Sequence, residues 1–295
     1  MFLHGADGET PELRAPSIKG AMRFWWRAIQ AEEDIAALKM KEAQVFGDSG
    51  NEGRCKFSIV VSEGVKNDSN NSNQSFKLLP HHTGDKNCPY IDNCGKNRNG
   101  RLVCTKGGPK QAFIDHKFKI KLILNKSLNN EYVEDINNLL KLTARLGGLG
   151  KRSRRGFGSF TILEQKSNYD DLKDLLKLLN RVSKNKYILD GKSIKLNQDC
   201  VANYPFIQKI EIGKAYDEYE ELLKVIGESS HKESAAQSLG YASKNNRLAS
   251  PIYVSVIKSQ DKYHPIITTL KMALSENNTK TVDTRQQERF KEAIL

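Results

Sequence analysis

Residues 117–124 read KFKIKLIL and alternate between apolar and basic side chains. Phe118, Ile120, Leu122 and Leu124 point one way, and Lys117, Lys119 and Lys121 the other. A side-chain period of two belongs to a strand with one face on a core and one in water. CKFSIVV (55–61) repeats the pattern through Phe57, Ile59 and Val61.

Around these strands the period changes to that of a helix. Ile18, Met22, Trp25 and Ile29 recur at i, i+4, i+7 and i+11 with Ala21 and Ala28 at the edge, and Ser17 after Pro16 reads as an N-cap. A second helix is expected over Ile35–Val45, ending at Gly47. A third is expected over 131–146, stopped by Gly147 and Gly148. GFGSFTIL (156–163) then runs into a strand. Beyond it, helices are expected at 170–183, about 214–227 and 284–295, and strands at 204–212, 251–258 and 264–270. A soft segment covers 228–250. The fold class is therefore α+β. The first half reads helix, strand, strand, helix, loop, strand, which is a ferredoxin-like pattern lacking its first strand. The boundary falls near 164–168, and 62–112 is a long irregular insertion.

The chain has 295 residues and a net charge of +12, the footprint of a protein whose partner is a polyanion. No apolar run is long enough to span a membrane. The first residues, MFLHGADGET, carry no secretory pattern, and an odd cysteine count of five argues against a disulfide framework. These features lead to the expectation of a cytoplasmic protein with no membrane partner.

The charge concentrates in GGLGKRSRRGFGSF (147–160), where Lys151, Arg152, Arg154 and Arg155 lie among five glycines with no acid. It fails as a P-loop, because Arg145 stands where the first glycine belongs and Arg152 where Ser or Thr must hold magnesium. It fails as a dinucleotide fingerprint, because Ser153 replaces the third glycine and the order is helix, loop, strand. No cofactor is expected. Glycines that let backbone N–H groups approach phosphates, beside four cations, suit a nucleic-acid clamp. The plain alternative is a solvated basic turn.

A second cationic set shares one face of the first helix: Lys19, Arg23, Trp26, Arg27 and Gln30. Trp26 lies off the apolar stripe. It is placed either to stack on a base or a partner subunit, or to pack beneath a covering loop or a neighbouring domain. His81, His82, Cys88, Cys94 and Cys104 are competent zinc ligands, but their C-x₅-C and C-x₉-C spacings lack a metal-site pair, so no metal is assigned. No hydrolase or deaminase motif is present, and the histidines are scattered. A metal-independent ribonuclease using one His as acid or base stays open.

Two stretches together, TPELRAPSIKGAMRFWWRA (10–28) and LGGLGKRSRRGFGSF (146–160), resemble the RAMP superfamily of CRISPR-associated proteins. Within it they are most similar to the subunit-one family of the type III-B Cmr effector complex. RLASPIYVSV (247–256) resembles that family's second-domain strand entry. The resemblance implies two tandem ferredoxin-like (RRM-like) domains, 1–165 and 166–295. It implies a non-catalytic subunit near the 3′ end of the guide RNA that helps to capture target RNA in antiviral defence. The implied partners are guide RNA, single-stranded target RNA and other Cmr subunits. By motif match, RNA contact falls to Lys19, Arg23, Trp26 and Arg27 on the helix and to Lys151, Arg152, Arg154 and Arg155 in the loop. The rivals are a RAMP-type endoribonuclease that processes precursor guide RNA and a scaffold that binds only proteins. The family normally has a strand before the GADGETPELR loop, and only MFLH precedes it here. An incomplete first sheet is expected, unless another segment supplies that edge.

Overall fold

Pro16 fixes where the first helix begins. It occupies the first turn, where its missing N–H is not needed, so α1 (Ala15–Gln30) starts two residues before the expected Ser17 cap, behind Arg14. The computed structural model describes residues 1, 12–50, 52–63, 95–96, 102–103, 113, 116–125, 129–163, 171–233, 237–242, 247–273 and 283–295. The cluster of His81, His82, Cys88, Cys94 and Cys104 lies outside them.

After α1 come α2 (Ile35–Phe46), β1 (Phe57–Glu63), β2 (Gly95–Lys96), β3 (Leu102–Val103), β4 (Phe118–Leu124), α3 (Asn130–Leu146) and α4 (Leu172–Ser183). The chain continues with β5 (Tyr187–Asp190), β6 (Ser193–Leu196), β7 (Ile207–Ile212), α5 (Tyr219–Lys232), β8 (Tyr241–Ala242), β9 (Arg247–Leu248), β10 (Ile252–Ser259), β11 (Lys262–Leu270) and α6 (Arg285–Glu292). Helices and antiparallel sheets mix in an α+β fold. The larger sheet has the order β10-β11-β7-β6-β5. β1 and β4 form a separate antiparallel pair, registered from Phe57 opposite Leu124 to Glu63 opposite Phe118. β2 pairs with β3, and β8 with β9.

Residues 156–163 depart from the strand expectation. They turn instead, with positive φ at Gly156 and Gly158, and Leu149 N donates to Gly158 O at 2.9 Å. The turn holds because a Cβ at Gly158 would overlap the Leu149 carbonyl, and no residue but glycine fits. α5 begins five residues later than expected, because Tyr216 first pairs with Tyr263 through backbone bonds of 2.9 and 2.8 Å. The hairpin β5–β6 was not foreseen. Its signal was present in Asp190-Gly191, where Gly191 takes φ +57 between two short apolar runs.

The core forms where α1, α3 and α4 meet both sheets. Ile18, Met22, Trp25 and Ile29 are all buried, as the helical period requires, together with Leu139, Leu175, Ile210 and Ile266 from other elements. Each such side chain contributes roughly 1.5–3 kcal/mol on leaving water. The C-terminal end of α1 is satisfied from the β5 region. Tyr187 donates its hydroxyl to Ile29 O at 3.0 Å, and Lys186 Nζ donates to Gln30 O at 2.6 Å. Full burial pushes the Tyr187 phenol well above its ordinary range, so it acts only as a donor there.

Tyr187→Phe leaves the ring in place and strips the Ile29 carbonyl of that donor. Urea unfolding is expected to show a loss of about 1–2 kcal/mol at unchanged m-value.

Candidate nucleic-acid interface

The Gly-rich loop is shaped by contacts on all sides. α3 ends at Gly147, whose N–H returns to Thr143 O at 3.1 Å. A Cβ at Gly147 would run into the Trp25 indole nitrogen, so glycine there lets α1 and α3 close together. A short 3-10 turn, Ser153–Arg155, follows Arg152, which holds the left-handed conformation with φ 61 and ψ 23. That conformation is costly for a residue with a Cβ, and such strain collects at functional sites. Gly156 N then donates to Val254 O at 2.7 Å and ties the loop to β10. The expectation that the glycines serve phosphate access is corrected at Gly147 and Gly158, whose missing side chains admit the protein's own atoms.

The four loop cations divide by environment. Lys151 is exposed, and Arg152 and Arg154 are half-buried. The Arg154 guanidinium carbon lies 4.7 Å from the Tyr253 ring centroid, a cation–π arrangement that fixes its direction. Arg155 points inward. Its Nε donates to Ser230 Oγ at 2.9 Å, Nη1 to Arg154 O at 2.9 Å and Ile252 O at 3.0 Å, and Nη2 to Leu239 O at 3.3 Å and Ser250 Oγ at 3.1 Å. Its guanidinium carbon sits 4.9 Å from the Phe290 ring centroid. Burial first, then the neighbouring charges of Arg154 and Arg152, lower its pKa to about 10. The assignment of Arg155 to RNA is therefore corrected, because its hydrogen-bonding capacity is spent inside the protein.

The α1 face is also covered. α2 folds across it, and Trp26 is buried at 8% exposure, edge-on to Phe46 with centroids 6.3 Å apart. Trp26 is not available to stack on a base. Trp26 is packed rather than presented, and what covers it is the helix α2 rather than a loop or a neighbouring domain. The buried Glu42 carboxylate of α2 takes a direct hydrogen bond from Arg23 Nε and lies 3.6 Å from Arg27 Nε. Lys19 Nζ rests 5.3 Å from the Phe57 ring centroid. Arg23 and Arg27 thus share one carboxylate, and half of their combined charge is neutralised.

The structure does not bring the two cationic sets into one patch. The loop reaches α1 through Trp25, whose ring lies 5.0 Å from that of Tyr253, the ring beneath Arg154. Trp25 is about 200° around the helix from both Arg23 and Arg27. Arg23 and Arg27 therefore lie on the side of α1 away from Trp25. Among the described residues no group of three His, Cys, Asp or Glu side chains is placed to hold a metal ion. Among them, also, no helix is long and apolar enough to cross a membrane.

Comparison with known proteins defines the class. The RAMP superfamily model matches residues 1–161, more than half of the chain, and the chain belongs to that superfamily. Its curated relatives are CRISPR proteins. It is 29% identical over 176 residues to the CRISPR system Cmr subunit Cmr1-2 of Pyrococcus furiosus, covering 55% of this chain and 89% of that protein. It is 32% identical over 162 residues to Cmr1-1 of the same organism, covering 54% of this chain and 43% of that protein, so it spans less than half of Cmr1-1. Among solved structures, apo Cmr1 from Pyrococcus furiosus shares the fold with a TM-score of 0.61 at 22% identity, over 96% of this chain and 89% of that one. A chain of the type III-B Cmr-beta complex bound to cognate target RNA gives 0.56 at 13% identity, over 99% and 96%.

Arg155→Ala removes five hydrogen bonds from a half-buried site and is expected to cost about 3 kcal/mol in urea unfolding. Lys151→Ala, at an exposed position, is expected to stay within about 0.5 kcal/mol of the parent.

Proposed function

We propose that this chain is a non-catalytic RNA-binding subunit of a type III-B CRISPR (Cmr) effector complex in the cytoplasm. It sits near the 3′ end of the guide RNA, beside other Cmr subunits, and helps to capture single-stranded target RNA. Its two halves, 1–165 and 166–295, are tandem ferredoxin-like units. Membership of the RAMP superfamily and the Cmr1 relatives support the complex. One observation carries the RNA contact: Lys151 is exposed and Arg152 and Arg154 are half-buried on a loop that the hydrogen bonds of Arg155 and the packed glycines tie to the second half of the chain. A rigid cationic loop meets a phosphate chain without first paying the entropy of ordering itself. Most of the affinity is electrostatic, and sequence preference is weak because Trp26 does not offer a stacking face.

The direct test is the salt dependence of single-stranded RNA binding. Replacing Lys151, Arg152 and Arg154 together by Ala is expected to flatten the slope of log K against log salt by roughly two to three units, with the fold retained. An unchanged slope removes the loop from the interface. In the same preparation, labelled repeat RNA in EDTA is expected to remain intact. Site-specific cleavage abolished by one histidine substitution would make the chain a processing ribonuclease instead.

A further inference from the structure

The edges of the Arg155 guanidinium are taken by five oxygen atoms, which leaves its flat face to be covered. Phe290 of α6 covers it. The Phe290 ring is fully buried and its centroid lies 4.9 Å from the guanidinium carbon. An aromatic face attracts a cation that has lost its water, which an aliphatic side chain of similar bulk does not.

α6 reaches the same guanidinium by two further routes. Gln287, 6% exposed, donates from Nε2 to Ser238 O at 2.8 Å, and Ser238 Oγ donates to Gln286 Oε1 at 3.2 Å. The next residue, Leu239, offers its carbonyl to Arg155 Nη2. Arg289 donates from Nε and Nη2 to the Glu233 carboxylate at 3.1 and 3.0 Å. That pair braces the end of α5, where Ser230 Oγ accepts from Arg155 Nε. On the loop side, Arg155 bonds to the main chain of both neighbouring arginines. Its N–H donates to Arg152 O at 2.8 Å and its Nη1 to Arg154 O at 2.9 Å. A chain of contacts therefore joins α6 to the backbone that carries Arg152 and Arg154.

We propose that α6 sets the affinity of the Gly-rich loop for RNA, with Phe290 as a positioning residue that acts through Arg155. This rests on the reading of that loop as the RNA contact. With the guanidinium seated, the turn is held in one arrangement before RNA arrives. With the ring gone, the turn samples several arrangements, and RNA must order it on binding. The cations that meet the phosphates stay the same in number. Affinity then depends on Phe290 while the salt dependence does not, which separates positioning from direct contact. α6 has other anchors that keep it docked: Ile294 is fully buried, and Lys291 Nζ lies 3.9 Å from Glu211 Oε2 on β7.

The test measures single-stranded RNA binding against salt for Phe290→Leu in the full chain, a change that removes the ring and keeps an apolar side chain. Affinity is expected to fall about fivefold at each salt concentration, with the slope of log K against log salt unchanged. Hydrogen exchange at the Arg155 and Gly156 amides should quicken, while the amides of β7 keep the parent rate. In a chain that already carries Ala at 151, 152 and 154, Phe290→Leu should cost no further affinity. Gln287→Ala, which frees only the Ser238 carbonyl, should weaken binding by about threefold, and it decides the matter if Phe290→Leu does not fold. The proposal is overturned if the folded variants bind RNA as the parent does, or if the two loop amides keep the parent exchange rate. It is also overturned if Phe290→Leu weakens the triple-alanine chain as much as it weakens the parent. A triple-alanine chain that binds as tightly as the parent would overturn the loop reading itself, and this proposal with it.

Discussion

The Arg155 guanidinium points into the protein and makes five hydrogen bonds, with no carboxylate among the partners. A buried cation without a counter-ion is tolerated only when such a cage of oxygens surrounds it. Here the cage draws on α5, β10, the Leu239 turn and Ser250, so the loop and the second half of the chain fix one another. The cost appears in the lowered pKa of Arg155, whose first cause is burial. The return is a loop joined to the core: the Arg154 guanidinium lies 4.7 Å from the Tyr253 ring centroid, Tyr253 packs on Trp25, and Trp25 closes on Gly147. A continuous line of contacts therefore runs from the exposed loop to the centre of the core.

Much of the framework was legible in the sequence because it depends on local periods. The α1 stripe and the β4 alternation were read in the right register, since a helix wheel or a pleat follows from spacing alone. Cap and stop signals served at Gly47 and Gly147. The misreadings arose where tertiary contacts decide. A wheel places Trp26 off the stripe, but it does not say that α2 will fold over that face and bury it. Composition marks Arg155 as one of four loop cations, but its inward direction depends on Ser230, Ile252, Leu239 and Ser250, all at least 75 residues away in sequence.

The same distinction applies to glycine. In the sequence, five glycines among cations suggest room for phosphates. In the structure, Gly147 and Gly158 make room for Trp25 and for the Leu149 carbonyl. Their smallness packs the loop, and the packing presents the cations.

The central claim is that the Gly-rich loop, and not the covered face of α1, meets the RNA backbone. Photo-crosslinking to uniformly labelled single-stranded RNA, followed by mapping of the linked peptides, tests it most directly. The account predicts crosslinks within residues 150–155 and none at Trp26. Crosslinks centred on Trp26 and Arg27, with the loop unmarked, would contradict it.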